Sequence, residues 1–195
     1  MEQVQPLVSS TRDLTLRRTI AVILGTALVS LAAQVAVPIP GTPVPVTLQP
    51  LAVLIVGGLL GPALGASSLV LYLLLGAAGL PVFTPFGLPG VARLIGPTGG
   101  YLLAYPLAAA IVGRLASDPP GREPGLNEWV RLSLAALSGL VLIHLGGLAQ
   151  LVLLTGSGAA ALQLGTIPFL LSDLGKLAIA VLILRPFVSP LRARL

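Results

Sequence analysis

The sequence predicts an all-α integral membrane protein of six transmembrane helices, with both termini cytoplasmic and a ligand site near the extracellular side. Three observations carry that expectation. First, 55% of the residues are hydrophobic and only 9% are charged, with a mean hydropathy of +1.01. A soluble domain carries about 25% charged residues, so this chain cannot cover itself with polar surface and lipid is its solvent. Second, the apolar residues fall into runs long enough to cross a hydrocarbon layer of about 30 Å. Third, nine of the eleven Lys and Arg lie in the two tails and around one central linker.

Taken in order, a polar tail with Arg12, Arg17 and Arg18 precedes a first span over about 19–37. That run is expected to stay in the membrane, because no small-residue cleavage site followed by a soluble domain marks it as a signal peptide. Ala21, Gly25, Ala32 and Ala36 lie on it within a stripe about 60° wide at 100° per residue. Small stripes let helices approach closely in lipid. The approach is either internal to the bundle or to another membrane protein. The stretch PIPGTPVPVTLQP (38–50) is too rich in Pro for a helix and reads as an ordered loop or a short extended pair. A short second span (48–60), a tight turn at Gly61-Pro62 and a third span (63–80) follow. The loop before the second span is expected to dip into the membrane, which is allowed only where protein or water covers its backbone.

Residues 81–97 form a second Pro/Gly loop holding Phe83, Phe86 and Arg93. A fourth span (98–115) opens on Gly99 and Gly100. Glycines there let a backbone come close to a ligand, and helix-start N–H groups attract anions; a hinge with a cap is the alternative. Tyr101 lies one turn in, facing either the interface or a ligand. The polar linker 117–128 separates the halves. In the fifth span (129–154), the lone His144 is expected to be a hydrogen-bonded packing residue, since no second metal ligand accompanies it. Gln150 is expected to glue helices together. A third loop (155–166) leads to the sixth span (167–184), with Thr166 as N-cap and Pro168 in the first turn. The basic tail carries Arg185, Arg192 and Arg194.

With six spans, the clusters Arg12/Arg17/Arg18, Arg114/Arg122/Arg131 and Arg185/Arg192/Arg194 fall on one side. The positive-inside rule makes that side cytoplasmic. The Pro/Gly loops and Arg93 then face outward.

Asp173 and Lys176 are the only charges in the sixth run. A charge in a bilayer core costs a few kcal/mol, and residues three apart on a helix can meet. The pair either neutralises itself and fixes packing, or forms a polar ligand site; an intramembrane charge is a functional candidate by default. At 1.5 Å per residue Lys176 lies about 12 Å along its helix from Pro168, in the outer half of the membrane.

Several chemistries are excluded. There is no Cys, hence no disulfide or thiolate metal site. The only Gly-Lys is Gly175-Lys176, followed by Leu177 within a span, so the chain has no phosphate-binding loop for ATP. No nucleophile or metal set supports an enzyme. The net charge of +5 sits at span ends, which argues against nucleic acid.

PVPVTLQPLAVLIVGGLLGPALGASSLVLYLLLGAAGLPVF (43–83) followed by LIGPTGGYLLAYPLAA (94–109) resembles the BioY family, the biotin-binding S components of energy-coupling-factor (ECF) vitamin transporters. Asp173 and Lys176 look like that family's charged pair. The resemblance implies six transmembrane helices and a high-affinity biotin receptor in the cell's inner (plasma) membrane. It also implies an ECF transmembrane coupling subunit and two cytosolic ATPases, which alone hydrolyse ATP. The receptor itself would need no cofactor or metal. The small stripe Ala21, Gly25, Ala32 and Ala36 would then dock the coupling subunit.

Residue chemistry agrees with that ligand. Biotin's ureido ring offers two N–H donors and one carbonyl acceptor, matched by the Asp173 carboxylate and the Lys176 ammonium. Phe83, Phe86 and Tyr101 are candidate apolar walls, Gln49 is a further polar candidate, and Arg93 is the candidate for the biotin carboxylate. The swapped assignment puts Lys176 on that carboxylate. A stand-alone secondary carrier using the same pair is the alternative function, although no inverted repeat or second intramembrane acid supports it.

Overall fold

A computed structural model of the chain describes residues 11–117 and 127–195. Arg122 and most of the linker lie outside the described residues, as do residues 1–10. The described part consists of helices with one small β pair: α1 Thr11–Gln34, β1 Ala36–Val37, β2 Val46–Thr47, α2 Gln49–Ala77, α3 Val91–Ile95, α4 Gly99–Leu115, α5 Glu128–Thr155, α6 Gly158–Gly165 and α7 Leu170–Arg192. A single 3-10 turn, Ile167–Phe169, joins α6 to α7. Four helical stretches are long and apolar enough to cross a membrane: Thr11–Gln34, Gln49–Ala77, Glu128–Thr155 and Gly158–Arg192. Gly99–Leu115 is apolar but shorter.

Helix α2 is a hairpin. At Gly61 the backbone takes φ 82° and ψ 178°, a left-handed value that favours glycine, and Pro62 follows. The chain reverses there. Gln49 is hydrogen bonded to Tyr72, although a straight helix would hold them about 35 Å apart. A Cβ at Gly65 would lie 3.0 Å from the Cα of Gly57, so the two limbs touch backbone to backbone near the turn. The first limb, Gln49 to Leu60, is about 18 Å long, short of a hydrocarbon layer of about 30 Å. With α2 counted as two limbs, six helical segments lie side by side: α1, the two limbs, α4, α5 and α7.

The Pro-rich stretch takes the extended form. β1 and β2 pair antiparallel, Ala36 with Thr47 and Val37 with Val46. Ala36 is therefore on a strand and not on α1. Helix ends follow local chemistry: the Asn127 side chain accepts from the Trp129 N–H at 3.0 Å to start α5, and Gly156 at φ 68° ends it. Helix α7 starts at Leu170, after the 3-10 turn that contains Pro168, and continues past the apolar run to Arg192.

Helix α2 packs on α1, α4 and α7, while α5 packs on α4, α6 and α7. Two apolar clusters fill the interior. One surrounds Val53, Tyr72, Tyr105 and Ile143. The other, nearer the start of α5 and the end of α7, contains Leu54, Val112, Leu132, Ala136, Leu140 and Leu184. Large apolar side chains such as Leu24, Leu31, Leu153 and Leu171 are exposed around the outside, as lipid contact requires. The stripe on α1 faces inward: Ala21 and Gly25 are buried, and a Cβ at Gly25 would meet Ser68 Oγ at 2.6 Å. Thr26 donates across the same contact to the Ser68 carbonyl at 2.9 Å. Ala32 is half-buried.

Basic residues gather at one end. Arg18 donates to the Leu195 carbonyl, Arg185 pairs with Glu128, and Arg192 reaches Ser117 and Gly113. That end holds the α2 turn, the end of α4, the start of α5 and the end of α7.

Candidate functional site

At the opposite end lies a cleft enclosing about 570 Å³, part of it open to solvent. Its walls come from the β2 segment, the start of α2, the loop after α2, α4, α5 and α7. Gln49, Phe83, Thr84, Thr98, Tyr101, Tyr105, Ile143, His144, Phe169, Asp173 and Lys176 are among the lining residues.

The charged pair stands in this wall. Lys176 Nζ donates to Asp173 Oδ1 at 2.7 Å, and both residues are buried. The second carboxylate oxygen is engaged from another helix: His144 Nε2 lies 2.8 Å from Oδ2. His144 is thus hydrogen bonded as expected, and its partner is the carboxylate of the charged pair. Its Nδ1 stands 3.4 Å from Thr166 Oγ1, and its ring meets Tyr101 edge-on with centroids 6.2 Å apart. The Tyr101 hydroxyl donates to the Gly165 carbonyl at 2.6 Å, so its phenol is aimed at protein, with the ring forming wall. Gln49 is buried in the wall, bonded to Tyr72 and within 3.3 Å of the Thr47 hydroxyl. Phe83 is buried edge-on to Tyr72.

Other expected residues stand elsewhere. Arg93 is buried but is not in the cleft wall; its guanidinium donates to Thr84 Oγ1 at 2.9 Å, the Thr84 carbonyl at 2.8 Å and the Leu88 carbonyl at 2.9 Å. It folds the 84–88 loop around itself, and through Thr84 it shapes the wall from behind. Phe86 is 46% exposed and is not among the lining residues. Gly99 and Gly100 serve close packing: a Cβ on Gly100 would run into the Gly146 carbonyl and lie 2.7 Å from Gln150 Cβ. Gln150 does tie elements together, donating to the carbonyls of Leu94 (3.1 Å) and Gly96 (2.7 Å). Among the described residues no group of three or more His, Cys, Asp or Glu stands ready for a metal.

Sequence reasoning missed Tyr105, Ile143 and Phe169 in the lining, and Asp173 as the partner of His144. Only His144 carried a signal, as a lone imidazole in an apolar span.

A hairpin-containing bundle with lipid-facing apolar sides, and a largely apolar cleft that holds a buried ion pair at the end opposite the cluster of Arg18, Arg185 and Arg192, defines a polytopic membrane protein. The chain belongs to the BioY family, whose model matches residues 5–193. It is 41% identical over 157 residues to the probable biotin transporter BioY of Pyrococcus horikoshii, covering 80% of this chain and 87% of that protein. It is 37% identical over 158 residues to the biotin transporter BioY of Thermotoga maritima, covering 81% and 88%. Its fold is similar to the 2.1 Å crystal structure of the S-component for biotin from an ECF-type ABC transporter, with a TM-score of 0.78 at 25% identity over 91% of this chain and 94% of that one.

Proposed function

We propose that this chain is the biotin-capturing membrane subunit of an ECF transporter. It is a multi-pass protein of the plasma membrane that mediates biotin uptake. The observation that carries the reading is the Asp173–Lys176 pair in the cleft wall, in a chain whose relatives are biotin transporters. Asp173 supplies an acceptor for a ureido N–H and Lys176 a donor for the ureido carbonyl. Phe83, Tyr101, Tyr105 and Phe169 offer apolar surface to the fused rings and side chain. For the biotin carboxylate we propose the loop hydroxyls Thr84 and Thr98, the Thr84 proton turning to it from the Phe86 carbonyl 3.3 Å away, with Arg93 holding Thr84 in place and adding positive potential. The reverse pose has Lys176 on the carboxylate.

The proposed orientation has six membrane-crossing segments, the basic end and both termini in the cytoplasm, and the cleft outside. The proposed energy source is ATP hydrolysed by two cytosolic ATPases that act through a transmembrane coupling subunit; the chain itself catalyses nothing and takes no cofactor. The test is calorimetric binding by the purified protein of biotin against a panel of other vitamins. Biotin alone is expected to bind. Binding of another vitamin without biotin overturns the reading. Comparing biotin with its methyl ester in the Lys176→Ala variant separates the two poses: a variant that loses the preference for the free acid supports the reverse one.

A further inference from the structure

We infer that His144 is a positioning residue of this site: it pins the Asp173 carboxylate from a second helix, in the orientation that a ligand N–H has to meet. The identity of the ligand here rests on the biotin reading; the geometry does not. His144 is on α5 and Asp173 on α7, and Nε2 stands 2.8 Å from Oδ2. A carboxylate only accepts, so Nε2 carries the proton, and Nδ1 faces the Thr166 hydroxyl 3.4 Å away. The imidazole is itself held: Tyr101 braces it edge-on, and Tyr101 is tied by its hydroxyl to Gly165.

Lys176 cannot do the same work. It lies one turn from Asp173 on the same helix, so that pair satisfies itself wherever the two side chains swing together. His144 refers Oδ2 to the rest of the bundle. With Oδ1 fixed by Lys176 and Oδ2 by His144, the lone pairs left over have set directions within the cleft. An acceptor so fixed spares the ligand the entropy of ordering it. A carboxylate–imidazole pair of this kind orients a primary group as the outer partners of metal ligands do.

The chain has one histidine, so nitrogen-15 NMR of histidine-labelled protein in nanodiscs reads this imidazole alone. The expected result without ligand is a protonated Nε2 whose signal moves in Asp173→Asn. A bare Nε2 overturns the inference. The second readout is biotin affinity. His144→Phe keeps a ring against Tyr101 but has no N–H, and is expected to bind about tenfold to a hundredfold more weakly while melting near the wild type. His144→Gln returns an N–H at similar reach and is expected to recover to within about threefold of wild type. A folded Phe variant with wild-type affinity overturns the inference, as does a Gln variant as weak as the Phe variant. If the Phe variant does not fold, the nitrogen signals decide. If the wild type binds no biotin, the proposed function has failed, and the nitrogen signals still decide whether His144 pins Asp173.

Discussion

Arg192 gives the Gly58 carbonyl the hydrogen bond that Pro62 withholds. In an unbroken helix that carbonyl accepts from the residue four positions on, and proline has no N–H. The Arg192 guanidinium donates to it instead, and to the Gly113 carbonyl at 2.8 Å and the Ser117 hydroxyl. One side chain thus closes the α2 turn, the end of α4 and the end of α7 together. Arg192→Met keeps the apolar stem but leaves the Gly58 carbonyl bare, while the Gly113 carbonyl keeps the Ser117 hydroxyl at 2.9 Å, at an expected cost of about 1–3 kcal/mol. Arg192→Lys is expected to recover only part of this, because an ammonium cannot fork across separated acceptors as a guanidinium can. Thermal melting in detergent measures both; a Met variant that melts like the wild type would show that water replaces the guanidinium.

Asp173→Asn and Lys176→Ala are each expected to weaken biotin binding at least about tenfold, because each leaves its partner charge buried without its counter-ion. The double variant is expected to lose less than the sum of the two, as contacting residues do. Calorimetry on all four proteins closes the cycle. Additive losses would mean that the two residues meet the ligand independently.

The chain has no cysteine of its own, so single cysteines report its orientation. Leu88→Cys sits on an exposed part of the cleft-side loop, and Arg194→Cys on the basic end. In whole cells an impermeant thiol reagent is expected to label position 88, and position 194 only after lysis. The opposite pattern inverts the proposed orientation.

Gly25→Leu is expected to lower stability and biotin binding together with uptake. A Cβ there already falls 2.6 Å from Ser68 Oγ and 3.0 Å from Leu60 Cδ1, and overpacking of this kind costs about 1–3 kcal/mol. Melting, binding and co-purification with the coupling subunit are the measurements. Intact binding with lost co-purification would return the stripe to a partner surface.

The charged pair was legible in the sequence because two charges in an apolar run stand out in one dimension and sit three residues apart. The reversal at Gly61-Pro62 was legible because that dipeptide breaks a helix wherever it falls. His144 was not, since nothing local says that α5 lies beside α7 and brings it to a residue 29 positions away. Arg93 is the ligand candidate as the one cation on the outward side, and its contacts to the Thr84 and Leu88 carbonyls are of a kind that a sequence does not display. The small stripe on α1 had a spacing but no sign: spacing tells which residues share a face, and only packing tells whether that face looks in or out.

The apolar cluster between the cleft and the arginine-rich end has an electrical consequence. Leu54, Val112, Leu132, Ala136 and Leu184 are wholly buried there, so this layer sets packed apolar side chains between the two ends. A hydrated ion would have to shed its water to pass, a step that costs far more than thermal energy. An idle copy should be an insulator: planar bilayers carrying the purified chain are expected to show only the leak of the lipid itself, and measurable single-channel current would disprove it. A cell can then hold many unengaged copies without running down its membrane potential.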